Sequence, residues 1–378
     1  MSASDNTSRP APRIRGESIS AEVVLADAAG ADGESGEGSE AKKIVLVSPA
    51  LRDANNGNWH TARRWAGFLS GHCDIALTSQ WPIHGTAKAT KPPVLMLALH
   101  ARRSAAAIHA WARAWPHKPL IIVLTGTDLY RDIHTDASAQ QSLALATHLV
   151  VLQDGGVAAL PQAWRGKTHV IYQSALPLLP AVKSTRTFRA VMVGHLRQEK
   201  DPQTFMKAAG HAFATDVQFV QIGDALEPPL ATAAQVTAKR TPRYRWLGGL
   251  PRGDTRQHIK RAHVLVNCSR MEGGAQVIIE AILAGTPVLA SRISGNVGML
   301  GADYAGYFET GDDAQLAALL RRCASEPAFM ARLQQQCRER APLFEAGREK
   351  RLVLNLVDSA LNGTLNISPS ADTPESFV

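Results

Sequence analysis

Residues 262–290 read AHVLVNCSRMEGGAQVIIEAILAGTPVLA, a complete strand–turn–helix–strand unit. The apolar run Ala262–Cys268 has the length and composition of a buried strand. A polar turn bearing Gly273 and Gly274 follows, then an apolar helix from Ala275 to Ala284. Gly285-Thr286-Pro287 stops that helix, and Val288-Leu289-Ala290 opens the next strand. Glu272 stands in the turn, and Glu280 is the only charge in the helix. A lone glutamate is ordinarily a cap or a solvated group. Burying one unpaired costs several kcal/mol, however, so Glu280 is expected to face a ligand or a partner. The turn also aims backbone N–H groups of a helix N-terminus outward, which makes a ready anion site.

The same alternation recurs in both directions. Phe188–Val193 (FRAVMV) is a strand, and Gly194-His195-Leu196-Arg197-Gln198-Glu199-Lys200-Asp201-Pro202 leads from it into a helix. Val217–Ile222 and Arg243–Leu247 are further strands, the second ending in the loop Gly248-Gly249-Leu250-Pro251. Asp312–Arg322, Pro327–Arg340 and Phe344–Leu361 have the spacing of amphipathic helices. In the first half, Lys43–Ser48, Val94–Leu99, Pro119–Leu124, His148–Leu152 and His169–Tyr172 read as strands. Asn55-Asn56-Gly57-Asn58 is a turn, with Asn58 the expected N-cap of a helix running to about Ser70. Strands alternating with helices predict α/β architecture with parallel sheets. Ligands then bind past the carboxyl ends of the strands, which makes His100, Thr125, Thr127 and Asp128 site candidates.

Charge is uneven along the 378 residues. The net formal charge is +8, but residues 1–40 hold 3 Arg against 8 Asp and Glu, so the remainder carries 8 − (−5) = +13. Residues 41–175 contain 14 Lys and Arg, 6 Asp and no Glu. Such a surplus suits anionic partners. The cations come in pairs, without the interleaved aromatics of RNA-binding motifs, so no nucleic-acid partner is expected. Four scattered cysteines with no C-x-x-C pair predict neither a disulfide framework nor a zinc site, and a reducing cytoplasm fits. Neither a signal peptide nor an apolar run of membrane-spanning length is present, and no stable membrane insertion is expected.

The Glu-x7-Glu spacing of Glu272 and Glu280, within SRMEGGAQVIIEAILAGTPVLAS, resembles the donor-site signature of the retaining GT-B glycosyltransferases of family 4. The resemblance implies two Rossmann-like doubly wound domains facing a central cleft. It places Glu272 by the transferred sugar and Glu280 on the ribose, with Gly273, Gly274, Ala275 and Gln276 along sugar and diphosphate. It puts Lys200 on the family's diphosphate-gripping Lys. His195 stands where the family has Arg, with Arg197 two residues on. Leu250 falls on the loop that meets the base, and Gly57 on a glycine loop near the donor phosphate and the acceptor. Two positions depart from the pattern: Gly273-Gly274-Ala275-Gln276 replaces Gly-Phe-Gly-Leu, and Gly298 replaces the Glu of Gly-Gly-x-x-Glu. The expected division is a tail over 1–40, an acceptor domain over 41–178, a donor domain over 182–343, a helix crossing back over 344–362, and a tail over 363–378.

The first half resembles a narrower group. SPALRDANNGNWHTARRW, LHARRSA and LTGTDLYRDI are similar to the selenosugar synthases of selenoneine biosynthesis. That likeness implies a UDP-linked glucose or N-acetylglucosamine as donor and selenophosphate as acceptor. A 1-seleno-sugar, UDP and phosphate would be the products, with no metal or other cofactor. It also implies functional coupling to a selenophosphate-producing enzyme. An oxygen acceptor needs a base to take its proton, and residues 41–175 offer no Glu. Selenium in selenophosphate is already anionic and needs a cradle of donors instead. Asn55, Asn56, Asn58, Arg102, Thr125 and Thr127 are the acceptor-side candidates, beside Asp128, with Glu272, His100, Lys200 and Arg197 as the catalytic set. Arg52, Arg63, Arg64 and Arg103 are further donors, although paired arginines on helices are ordinarily solvated. Two alternatives remain. A family 4 enzyme could act on a sugar or lipid hydroxyl at the membrane, with Trp59, Trp65 and Phe68 as an interfacial helix. A non-catalytic protein could simply bind UDP-sugar.

Overall fold

The computed structural model describes residues 41–51, 57–82, 92–214 and 216–363. Two six-stranded sheets, every pairing parallel, account for the strands among them. The first contains β1 (Lys42–Val47), β2 (Cys73–Thr78), β3 (Leu95–Leu99), β4 (Leu120–Val123), β5 (His148–Val151) and β6 (Thr168–Val170), in the order β2-β1-β3-β4-β5-β6. The second contains β7 (Phe188–Val193), β8 (Val217–Ile222), β9 (Tyr244–Trp246), β10 (Val264–Asn267), β11 (Val288–Ser291) and β12 (Tyr307–Phe308), in the order β12-β11-β10-β7-β8-β9. In both, the order reverses beside the first strand, so the switch points fall between β1 and β3 and between β7 and β10. The crevice outside the strand ends opens there.

The strands read as continuous apolar runs because both faces of each sheet are covered. Ile44 and Leu46 of β1 pack with Trp59 and Trp65 of the helix Gly57–Leu69, whereas Val45 and Val47 pack with Trp111 of the helix Ala105–Ala114. Trp59 is 7% exposed and Trp65 is fully buried. Both tryptophans thus belong to the core, and Phe68 is half-buried against it, which corrects the expectation of an interfacial helix bearing these three aromatics. Asn58 is likewise corrected: the helix begins at Gly57, so Asn58 lies within its first turn. Arg52, Asn55 and Asn56 lie outside the described residues.

The last helix, Ala346–Asn362, packs Val353, Leu356, Val357 and Ala360 into the core of the first domain. Its Glu349, 0% exposed, accepts from Arg64 Nε (2.8 Å) and Nη2 (3.0 Å), from Trp65 Nε1 (2.7 Å), and from Ser174 N (2.8 Å) and Oγ (2.5 Å). One buried carboxylate thus ties the first helix, the interdomain connection and the C-terminal helix together. Arg64 is spent on this lock rather than on solvent or substrate, while Arg63 is exposed.

Candidate active site

The donor-side residues sit on two loops, one after each strand flanking the second switch point. After β10, Ser269 and Glu272 face each other, with Ser269 Oγ donating to Glu272 Oε1 at 2.5 Å. After β7, a single 3₁₀ turn, Gln198–Lys200, brings the Lys200 ammonium onto the same carboxylate oxygen. Glu272 is 8% exposed. Burial works to raise its pKa, but the charge and hydrogen bond of Lys200, the Ser269 hydroxyl and the nearby Arg197 outweigh it, and the group is held below the usual carboxylate range. Arg197 belongs to this cluster by its charge, yet its Nε is buried with no hydrogen-bond partner among the described residues. A buried guanidinium N–H left unmade is costly, and an anion entering the crevice would satisfy it.

His195 stands aside. Its Nδ1 accepts from the Asp224 N–H at 3.2 Å, and burial, Arg197 and Lys200 depress its pKa against the opposing pull of Asp224. Glu280, 5% exposed, receives Arg252 Nε at 3.2 Å and Nη2 at 3.0 Å, so its required partner within the chain is the first residue of the helix Arg252–Arg261. Arg252 also faces His60 of the helix Gly57–Leu69 across the cleft. Burial, then Arg252, Arg64 and Arg63, bring the His60 pKa down to about 4. Leu250 is half-buried, and its carbonyl accepts from Thr255 Oγ1 at 3.4 Å. Gln276 donates through Nε2 to the Ser174 carbonyl at 3.1 Å, and Ala275 precedes the helix Gln276–Leu283. Gly57 opens its helix with no neighbour where a Cβ would be.

Glycines let the two domains meet backbone to backbone beside Glu272. A Cβ on Gly273 would overlap the Thr125 carbonyl, and one on Gly126, whose φ is +140°, would lie 3.0 Å from Gly273 N. Gly274 faces Leu152 in the same way. Gly298, the position where the family pattern has Glu, leaves the room that the Gln153 side chain of the other domain occupies. Gly273 and Gly126, which face backbone, are therefore steric requirements of this interface.

Two loops of the first domain, after β3 and after β4, meet opposite. His100 has φ +71°, an unfavourable region for a side-chain-bearing residue, and its ring is 1% exposed. His100 Nδ1 accepts from the Arg103 N–H at 3.3 Å, which assigns the proton of the neutral ring to Nε2, 3.0 Å from Thr127 Oγ1. Burial is the largest influence on this histidine and lowers its pKa. Asp128, 0% exposed, accepts from Ala101 N (3.0 Å), Thr125 N (2.9 Å) and Gly126 N (3.0 Å), so it shapes the loop and presents no oxygen to a ligand. Arg102 Nε meets Asp132 Oδ2 at 2.7 Å.

Several of these groups had no signal in the sequence. Asp132, Arg131, Glu199, Arg252, His60 and Gln153 acquire their roles only through partners distant in the chain. Ser269 had one: a hydroxyl three residues before Glu272 is within reach of its carboxylate across a single turn.

Residues 181–343 match the model of the glycosyl transferases group 1. A curated relative, the glycosyltransferase 1 domain-containing protein 1 of Xenopus tropicalis, is 29% identical over 154 residues, 40% of this chain and 44% of that protein. The chain thus matches less than half the length of that relative. Among solved structures, HepE of Anabaena in complex with UDP and glucose superposes with a TM-score of 0.67 at 18% identity, covering 84% of this chain and 100% of HepE. Sucrose-phosphate synthase of Thermosynechococcus elongatus gives 0.69 at 16%, covering 85% and 100%. At such identities the likeness is one of fold, and the fold is GT-B. No helix of the described residues is long and apolar enough to cross a membrane.

Proposed function

We propose that this chain transfers a sugar from a UDP-linked donor to selenophosphate, giving a 1-seleno-sugar, UDP and phosphate. HepE is described in complex with UDP-glucose as well as with UDP and glucose, which supports this class of donor. The observation that supports the donor half is the meeting of Arg197, Lys200 and Glu272 at the β7/β10 switch point, with a buried Arg197 N–H that has no partner among the described residues. In this reading Lys200, Arg197 and the amides of Gly273–Gln276 take up the charge of the departing diphosphate, without a metal ion. Glu272 orients Lys200 and the sugar, and Glu280 with Arg252 lies on the ribose side.

The acceptor half is supported by what the first domain does with its acids. Asp128 is fully bonded to backbone N–H groups, and Asp132 is held by Arg102 and Arg131. His100 offers a proton rather than a lone pair. Among the described residues, these loops are therefore rich in donors and poor in free bases, which suits a nucleophile that arrives as an anion. Selenium attacks C1 as the C1–O bond to UDP breaks, and water then cleaves the P–Se bond to release phosphate. Neither the membrane-acceptor reading nor a purely binding role gains an observation of its own.

The test is UDP release from UDP-N-acetylglucosamine and UDP-glucose, with and without selenophosphate, with products identified by mass. A selenium-bearing hexose formed only with all components, and unchanged by EDTA, is the expected result. UDP release indifferent to selenophosphate would reject the acceptor, and the absence of release with any acceptor would reject the enzyme.

A further inference from the structure

Arg131 reaches across the cleft. It lies in the π turn Asp128–Asp132 that follows β4, and its Nη1 meets Glu199 Oε1 of the other domain at 3.3 Å while its Nε meets Asp132 Oδ1 at 3.1 Å. The Arg131 side chain is 45% exposed, and among the described residues its Nη2 has no protein partner. Glu199 immediately precedes Lys200 and is a quarter exposed. Its carboxylate is an anion placed between Arg131 of one domain and Arg197 of the other. Burial would raise its pKa, but its own backbone N–H, Arg197 and Arg131 together hold it below the usual carboxylate range. The contact to Arg131 is a single, long, half-wet ion pair, the kind that exchanges readily for a better one. Arg102 and Arg131 both bracket Asp132, so the two guanidiniums outweigh the one acid beneath them.

We infer that Arg131 binds the anionic group of the acceptor, and that the Glu199 carboxylate fills this anion site in the empty enzyme until a tetrahedral oxyanion of the phosphate type displaces it. A guanidinium fork matches two oxygens of such a group, whereas Glu199 engages one N–H. Displacement frees Glu199 to turn toward solvent and leaves Arg131 and Arg197 on the same ligand. Substrate binding thus draws the domains together through a shared anion in place of a direct salt bridge.

The inference rests on the small-anion reading of the acceptor, and two measurements separate them. The first is calorimetric binding of inorganic phosphate to the UDP-loaded protein. Glu199→Gln keeps the side chain's shape and removes the internal competitor, so phosphate is expected to bind several-fold tighter. Arg131→Ala is expected to weaken it by about 10–100-fold and Arg131→Lys by less, as suits loss of hydrogen bonds to a charged group. The double variant should behave like Arg131→Ala alone. The second is turnover of selenophosphate, in which the same variants should move the acceptor KM and leave the donor KM in place. Phosphate binding that follows these variants in a protein inert toward selenophosphate keeps the anion site and rejects that acceptor. Selenophosphate turnover with phosphate affinity and acceptor KM indifferent to both residues overturns the role of Arg131. Equal changes in donor and acceptor KM would also overturn it, because they would mark a contact that merely positions the domains.

Discussion

The two domains have the same architecture but carry their site residues differently. In the C-terminal domain, Lys200 and Glu272 stand on two short loops, each directly after a strand of the switch point. In the N-terminal domain no single loop makes a site: His100 needs Thr127, Ala101 needs Asp128, and Arg102 needs Asp132, each pair joining the loop after β3 to the turn after β4. A function written in linear motifs is tied to its backbone. One assembled from pairwise contacts can change partners without changing the fold.

The sharpest way to break this comparison is at the lock that joins the halves. Glu349→Ala leaves the half-buried Arg64 without its counter-charge and removes the partner of the buried Trp65 Nε1 and of Ser174. Loss of one member of a buried pair costs about 3–5 kcal/mol. A large fall in the urea midpoint is expected, and a change below about 1 kcal/mol would show that the lock is ornamental to stability. Next in size is Glu272→Gln. It keeps the Ser269 contact and deprives Lys200 of its counter-charge, so kcat should fall by about 100-fold or more, the scale of losing one electrostatic stabiliser of a transition state. The thermal midpoint should move little.

Gly273→Ala tests the backbone contact between the domains. The added methyl meets the Thr125 carbonyl, and relieving such overlap costs about 1–3 kcal/mol. Because the collision lies between the two domains and not inside either, kcat/KM should drop about tenfold while each domain stays folded by circular dichroism. Gly57→Ala, with open space at the same atom, is the matched control and should be near neutral. Smallest is the pH effect of His60, whose folded pKa of about 4 lies below its unfolded value of 6.5. The unfolded chain binds the extra proton between those values. The stability it reflects is therefore complete above pH 6.5 and lost as pH falls toward 4. His60→Asn should flatten the thermal midpoint against pH over that window, and an unchanged slope would assign the acid sensitivity elsewhere.

Much of the fold was legible. Strands β7 and β8 lie where their apolar runs begin and end, and the helix after β10 differs from expectation by one residue at each end. The strands absent from that reading, β2 and β12, are both at sheet edges. β2 begins Cys-Asp at a half-exposed end, and β12 has two residues, so neither shows the unbroken apolar run of a strand covered on both faces.

By itself the sequence determined the alternation of strand and helix, and with it the parallel sheets, because burial on both faces demands an apolar run whatever surrounds it. It also determined that Glu272 and Lys200 follow strands flanking one crevice. Only the tertiary structure decided what each charge is paired with. It set Arg64 on Glu349, Arg252 on Glu280, Arg131 on Glu199, and Gln153 in the room left by Gly298. Hydrophobic patterning is a property of neighbours along the chain. Charge pairing and backbone approach are properties of neighbours in space, separated here by as many as 285 residues.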